Sequence, residues 1–286
     1  MSNDGDIFHA SEGTLIYFAS YLARTVKHST IKLYLAAVRN LHISCAHGDP
    51  LVGKLLLKKV LRGILRYQGK AHILRQPVTP GVLLAIQPVL RSWLGGRDYC
   101  MVWAAFTLAF FAFLRCGEFT YQGTSKFLPQ FDLSADCVSF YLTLVCLQQM
   151  FLFLKASKTD YFPTGHPLVI TWSPSPICAV SSMHDYFLAA HLQGPLFSFQ
   201  SGHFLTRSVV VNLLRDVARH ANLPYQSLKG HSFHISAAST AAAAGLSVWL
   251  IKVLGRWSSD SYQLYITTPK SVLLSAAPRM ASISFP

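Results

Sequence analysis

Met101 to Leu114 is a run of 14 residues without a charged side chain, and Arg115 ends it abruptly. A membrane span needs ~20 apolar residues, so this run is too short to cross a bilayer. A helix that is apolar all round must be wrapped by other elements of its own chain. The run therefore predicts a central buried helix, reaching back to about Asp98, inside a large core. Apolar residues make up 51% of the chain, which supplies that core and excludes disorder as the dominant state. A second apolar stretch, Cys137 to Leu154, is interrupted by Gln148 and Gln149 and is rich in strand formers. It too is expected to be internal structure rather than a span, although the native-like character of Asp132 to Gln149 stays open.

Helical spacing dominates on either side. Leu15, Phe18, Ala19 and Leu22 repeat at helical steps in Thr14 to Val26. Ser29 or Thr30 is the expected cap of a second helix running to about Cys45, with a stripe of Ile31, Tyr34, Leu35, Val38, Leu41 and His42. A third helix is expected over Leu55 to Tyr67. Thr79 and Pro80 have the cap and first-position chemistry of a fourth. Residues 137 to 172 read as three strands, with "KTDYFPTGH" joining the last two. Helices resume near Ser182 to Leu192, Thr206 to Ala221 and from Ser232, where Gly245 stops an alanine-rich helix. The predicted fold class is mainly α with a small antiparallel β-sheet, in two domains, residues 1–75 and 76–286.

Charge narrows the partner. The net formal charge is +13 and the isoelectric point about 9.6. Between Thr14 and Pro80 there are 11 Lys and Arg against one acid, Asp49, a local excess of +10. Lys58, Lys59, Arg62 and Arg66 recur at three- and four-residue steps, and Lys32 and Arg39 add to them. A solvated helix face is the plain explanation of such a run, but nothing nearby neutralises it. A polyanion, nucleic acid or an anionic membrane surface, is the implied partner. The six cysteines form no C-x-x-C pair and are read as reduced, buried thiols of an intracellular protein. The polar, acidic opening residues predict no secretory leader.

Four clusters carry side chains suited to chemistry. In "FLRCGEF" (113–119), Arg115 and Glu118 are three apart and share a face. A local ion pair explains them equally well. In "KASKTDYFPTG" (155–165), Lys158 falls on the turn between two strands, where solubilising lysines are common. In "KGHSFHISAAST" (229–240), His231 and His234 are three apart at a helix start, a spacing that packing histidines also show. No further ligands complete a zinc site. "GHSFH" approaches the G-x-S-x-G elbow with Ser232 as a hydrolase nucleophile, but the last Gly and the preceding buried strand are missing. In "LGRWSSDSYQLYI" (254–266), Arg256 and Trp257 precede Tyr262 and Tyr265, which aromatic packing alone would explain.

In this order and spacing, over about residues 14 to 270, the clusters resemble the tyrosine recombinases, the phage-integrase-type family. The resemblance is strongest to the recombinases of DIRS-like and Crypton-like eukaryotic mobile elements. It implies a helical core-binding domain and a catalytic domain that clamp double-stranded DNA, self-association on DNA, a nuclear location, and neither membrane, metal nor small-molecule cofactor. It further implies that Tyr265 is the nucleophile of a 3′-phosphotyrosyl intermediate. Arg115 would hold the scissile phosphate with Glu118 in support, and Lys158 would protonate the leaving 5′ oxygen. His231 would be the family histidine, and Arg256 or Trp257 would fill the late His/Trp position. His234 stands where the family has its second arginine. That departure predicts a slow enzyme, or a DNA-binding descendant that no longer cuts.

Overall fold

The computed structural model describes residues 10–69, 77–142, 147–156, 164–190, 193–264 and 266. The chain divides into two compact units, Met1–Ile73 and Leu74–Pro286.

The first unit holds α1 (Glu12–Leu22), α2 (His28–Ser44) and α3 (Leu55–Gln68). Leu15, Ala19, Ile31, Leu35 and Leu57 form its buried core. Ser11 caps α1 by accepting the Thr14 N–H. Neither Ser29 nor Thr30 caps α2; its cap position is Lys27, which gives no side-chain bond. Gln68 takes over the task from the far end of α3. Its Oε1 accepts the His28 N–H at 2.7 Å, and its Nε2 donates to the Ala23 and Val26 carbonyls at 3.1 and 2.9 Å. One side chain thus ties the α1–α2 turn to α3. Glu12 likewise accepts the Leu56 and Leu57 N–H groups and so caps α3. The inward stripe of α2 is Ile31, Leu35, Val38 and His42; Tyr34 and Leu41 point to solvent.

The second unit is built around α5 (Gly96–Phe111), in which every residue from Met101 to Phe110 is buried. It packs against α4 (Pro80–Trp93), α7 (Ala179–Ala189) and α9 (Ser232–Ala243). Thr79 caps α4 by accepting the Val82 N–H, with Pro80 at the first turn. β1 (Val138–Leu142), β2 (Leu147–Leu154) and β3 (His166–Thr171) form an antiparallel sheet in that order. Period-two alternation buries Met150, Leu152 and Leu154 and leaves Phe151 and Phe153 outward. Phe140 of β1 meets His184 and Phe187 of α7 edge-on, which seats the sheet against that helix.

The four-residue α6 (Cys116–Phe119), α8 (Arg207–His220), α10 (Val248–Gly255) and two 3-10 turns, Ala135–Cys137 and Asp260–Leu264, complete the described elements of this unit. A separate cluster of Phe113, Ala237, Ala238, Ala241, Ile251, Trp257 and Tyr262 joins α9 and α10. The small alanines of α9 let Trp257 approach closely. Gly255 is needed there, because a Cβ would fall 1.7 Å from the Trp257 ring. The cysteine reading needs correction in part: Cys116, Cys137 and Cys178 are buried free thiols, but Cys45 is exposed and Cys100 half-buried. No described helix is long and apolar enough to cross a membrane.

Candidate functional site

The end of α5 sets the site. Phe113 adopts a left-handed backbone, φ +51°, uncommon for a bulky residue. The chain turns sharply there and brings Arg115 to the cap position of α6. Glu118, one helical turn on, folds back onto it. Its Oε2 accepts the Arg115 N–H at 2.8 Å, and its Oε1 accepts from the Arg115 guanidinium at 3.0 Å. Arg256 reaches the same carboxylate from the end of α10. Its Nη2 donates to Glu118 Oε2 at 2.7 Å and to the Phe113 carbonyl at 3.0 Å, and its Nη1 donates to the Ala112 carbonyl at 3.1 Å. Arg256 also has a left-handed backbone, φ +55°. One carboxylate therefore bridges two arginines, with side chains 4% exposed for Glu118, 15% for Arg115 and 6% for Arg256. Burial pulls the Arg256 pKa below its ordinary value, and Glu118 opposes that pull.

Arg115, Glu118, Arg207, His231, Asp132 and Ala156 line one hollow of about 460 Å³, together with neighbours from the α6 turn. His231 is the exposed cap position of α9. Arg207, the first residue of α8, had no sequence motif around it; only its position after the Thr206 cap marks it. Cys116 in the same hollow is a neutral thiol, its pKa pushed up to about 11 by burial.

Two sequence expectations change here, and the hydrolase alternative is set aside. His234 does not line this hollow. It is 1% exposed, its Nδ1–H donates to the Phe113 carbonyl at 2.7 Å, and its ring lies 4.6 Å from that of Trp257. Burial lowers its pKa to about 3, with Arg115, Arg256 and His231 adding to the effect, so it is no cation at neutral pH. Arg256 and Trp257 face inward rather than into the hollow: Arg256 is held by carbonyls and Glu118, and Trp257 packs against Phe113, His234 and Tyr262. Ser232 is 2% exposed, its Oγ accepts the Lys229 N–H, and no strand leads into it among the described residues, so there is no hydrolase elbow. Lys158 and Tyr265 lie outside the described residues.

The state of His234 has a measurable consequence. Its folded pKa lies below the ordinary 6.5, so the unfolded chain takes up the proton first as pH falls. Its stabilising contribution is complete above about pH 6.5 and is lost progressively toward pH 3, at up to ~1.4 kcal/mol per pH unit. Denaturant unfolding of His234→Gln, which keeps an N–H for Phe113, is expected to show a shallower acid slope. An identical slope would mean that His234 titrates normally.

In the first unit Lys58, Lys59, Arg62 and Arg66 are all exposed on α3, opposite the inward Leu57, Leu61 and Ile64. Lys32 is exposed on α2. Arg39 pairs with Asp49 at 2.6 Å; the Leu51 N–H and then Arg39 lower the Asp49 pKa.

No protein-family model matches this sequence, and no curated protein matches it. Solved structures do. The XerH site-specific recombinase, bound to a palindromic difH substrate in a post-cleavage complex, superposes with a TM-score of 0.60 at 12% identity, covering 96% of this chain and 72% of that one. The Tn1549 transposon integrase, in complex with circular intermediate DNA, gives a TM-score of 0.56 at 12% identity over 95% of this chain and 85% of that one. The XerA recombinase gives 0.50 at 13% identity over 96% and 89%. The fold is that of the tyrosine recombinases. The helical bundle of the first unit, and the small sheet beside α5 and α7 in the second, are both parts of the tyrosine recombinase architecture. On it, Arg115 and Glu118 from one stretch of sequence and His231 from another, 113 residues later, meet at one hollow.

Proposed function

We propose that the chain is a DNA strand transferase of the recombinase or integrase type, working through a 3′-phosphotyrosyl intermediate. The observation that carries this reading is the convergence of Arg115 and His231 on one hollow of a tyrosine recombinase fold, with Glu118 fixing Arg115. In the reaction, the Tyr265 hydroxyl gives its proton to water, its oxygen bonds to phosphorus and the P–O5′ bond breaks. Lys158 gives its proton to the leaving oxygen, and the 5′ hydroxyl of a partner strand later reverses the step. Charge gathers on the non-bridging oxygens in the transition state, where fixed cations act more strongly than in the ground state. An arginine already held by a carboxylate needs no reorganisation at that moment. The phosphotyrosyl bond conserves the energy of the phosphodiester, so rejoining needs no nucleotide cofactor.

Residues 1–75 serve as the core-binding domain and 76–286 as the catalytic domain. Double-stranded DNA is the substrate, and copies associate on it. The order of motifs supports a mobile-element recombinase of the DIRS-like or Crypton-like kind acting in the nucleus. Incubation with plasmid DNA, followed by denaturation, should trap protein covalently on DNA. Absence of any adduct would overturn the reading. The neutral, buried His234 favours a second reading, a DNA-binding descendant with weak cleavage, and the adduct yield separates the two.

Binding itself should be steeply salt-dependent through counterion release. Replacing Lys58, Lys59 and Arg62 together by Gln is expected to lower the slope of log affinity against log salt by up to about 2.7, and to weaken all sequences alike. An unchanged slope would remove α3 from the DNA interface.

A further inference from the structure

A phosphodiester under attack needs cations that face it, and the described residues offer few. Arg256 directs its Nη groups at the Ala112, Leu254 and Phe113 carbonyls and at Glu118, and it does not line the hollow. His234 is enclosed between the Phe113 carbonyl and the Trp257 ring. Arg115 faces the hollow but spends one Nη on Glu118. Arg207 is different. It is exposed, and it makes no hydrogen bond or ion pair with the described residues. Its guanidinium nevertheless has a defined place, running across Gly230. A Cβ on that glycine would lie 3.0 Å from Arg207 Nε, 3.4 Å from its Cζ and 3.0 Å from the Cys116 Cβ. Gly230 precedes His231, and Cys116 follows Arg115. The Arg207 fork thus lies across the seam between the two segments that supply Arg115 and His231, on the wall of their hollow. The carboxylate of Asp132, which lines the same hollow, accepts the Leu128 N–H at 2.8 Å.

We propose that Arg207 is the second guanidinium of this site, binding a non-bridging oxygen of the reacting phosphate opposite Arg115, and that Gly230 is small so that it can do so. This rests on the reading of the hollow as a phosphodiester site. A planar, permanently charged fork with all its donors available suits two phosphate oxygens, or one oxygen and its neighbour. The charge missing at position 234 of α9 is then supplied from the start of α8.

The test compares the full chain with Arg207→Ala and Arg207→Lys, using a plain DNA duplex for binding and plasmid DNA for adduct formation. Arg207 is exposed at the first turn of α8, so truncation removes no core contact, and unchanged helical circular dichroism verifies this. For Arg207→Ala, the salt slope of duplex binding is expected to fall by about 0.9, one phosphate contact. The rate of covalent adduct formation is expected to fall about 100- to 1,000-fold, the usual loss for one transition-state donor. Arg207→Lys should recover the slope but only part of the rate, since an ammonium keeps the charge without the fork. An Arg207→Ala rate equal to wild type would overturn the proposal while leaving the strand-transfer reading intact. Should wild type itself give no adduct, strand transfer fails, and the salt slope alone decides the contact: a fall of about one keeps Arg207 on a phosphate, and an unchanged slope removes it.

Discussion

Tyr265→Phe is expected to abolish covalent attachment to DNA, by more than about a thousandfold, while duplex affinity stays at the wild-type value. The change removes one oxygen and keeps the ring. Affinity survives because it is spread over many cations, none of which is altered. The competing nucleophile is Tyr262, three residues earlier, and its environment argues against it. Tyr262 is 5% exposed in the 3-10 turn after α10. Its ring packs 6.2 Å from that of Trp257, with the Lys252 ammonium 5.7 Å from its centre. A tyrosine in that cluster supports the α9–α10 contact and is poorly placed to reach DNA. Tyr262→Phe should therefore leave the adduct intact. The reverse pattern, adduct lost in Tyr262→Phe and kept in Tyr265→Phe, would move the nucleophile by three residues.

The second large effect is on stability. Glu118→Ala is expected to cost about 3–5 kcal/mol, because it leaves the inward-facing Arg256 and the largely buried Arg115 at the hollow without their shared counter-charge. For a domain of this size that lowers Tm by roughly 6–20 °C. The loss has three parts: the ion pair to Arg115, the ion pair to Arg256, and the acceptor for the Arg115 N–H. Glu118→Gln keeps an acceptor oxygen and should lose less. Adding Arg256→Met to Glu118→Gln should recover part of the loss, since a buried cation without a counter-charge is worse than an apolar side chain of similar length. Equal melting temperatures for wild type and Glu118→Ala would show that the carboxylate holds neither arginine.

These two effects fall on opposite sides of the line between local and long-range information. Side-chain spacing along one element was readable directly. The unbroken apolar run became α5, period-two alternation became the inner face of β2, and the cationic steps of α3 became its exposed face. Arg115 and Glu118, three apart, were bound to meet because a helical turn brings i and i+3 together. The cap of α2 was not readable, because it comes from Gln68, 40 residues away from His28. Nor was the partner of Arg256: it lies 138 residues back in the chain, and the contact depends on left-handed backbones at Phe113 and Arg256 that no residue preference announces. His234 shows the same division. Sequence placed it on α9 one turn from His231, but only the packing of Trp257 and the Phe113 carbonyl around its ring decided that it stays neutral and enclosed. Arg207 carried no motif, and what gives it a role is the space left by Gly230 between two distant segments. Periodicity and helical geometry are fixed by neighbours in the chain; charge state and the meeting of distant cations are fixed by desolvation and by which surfaces the folded core presses together.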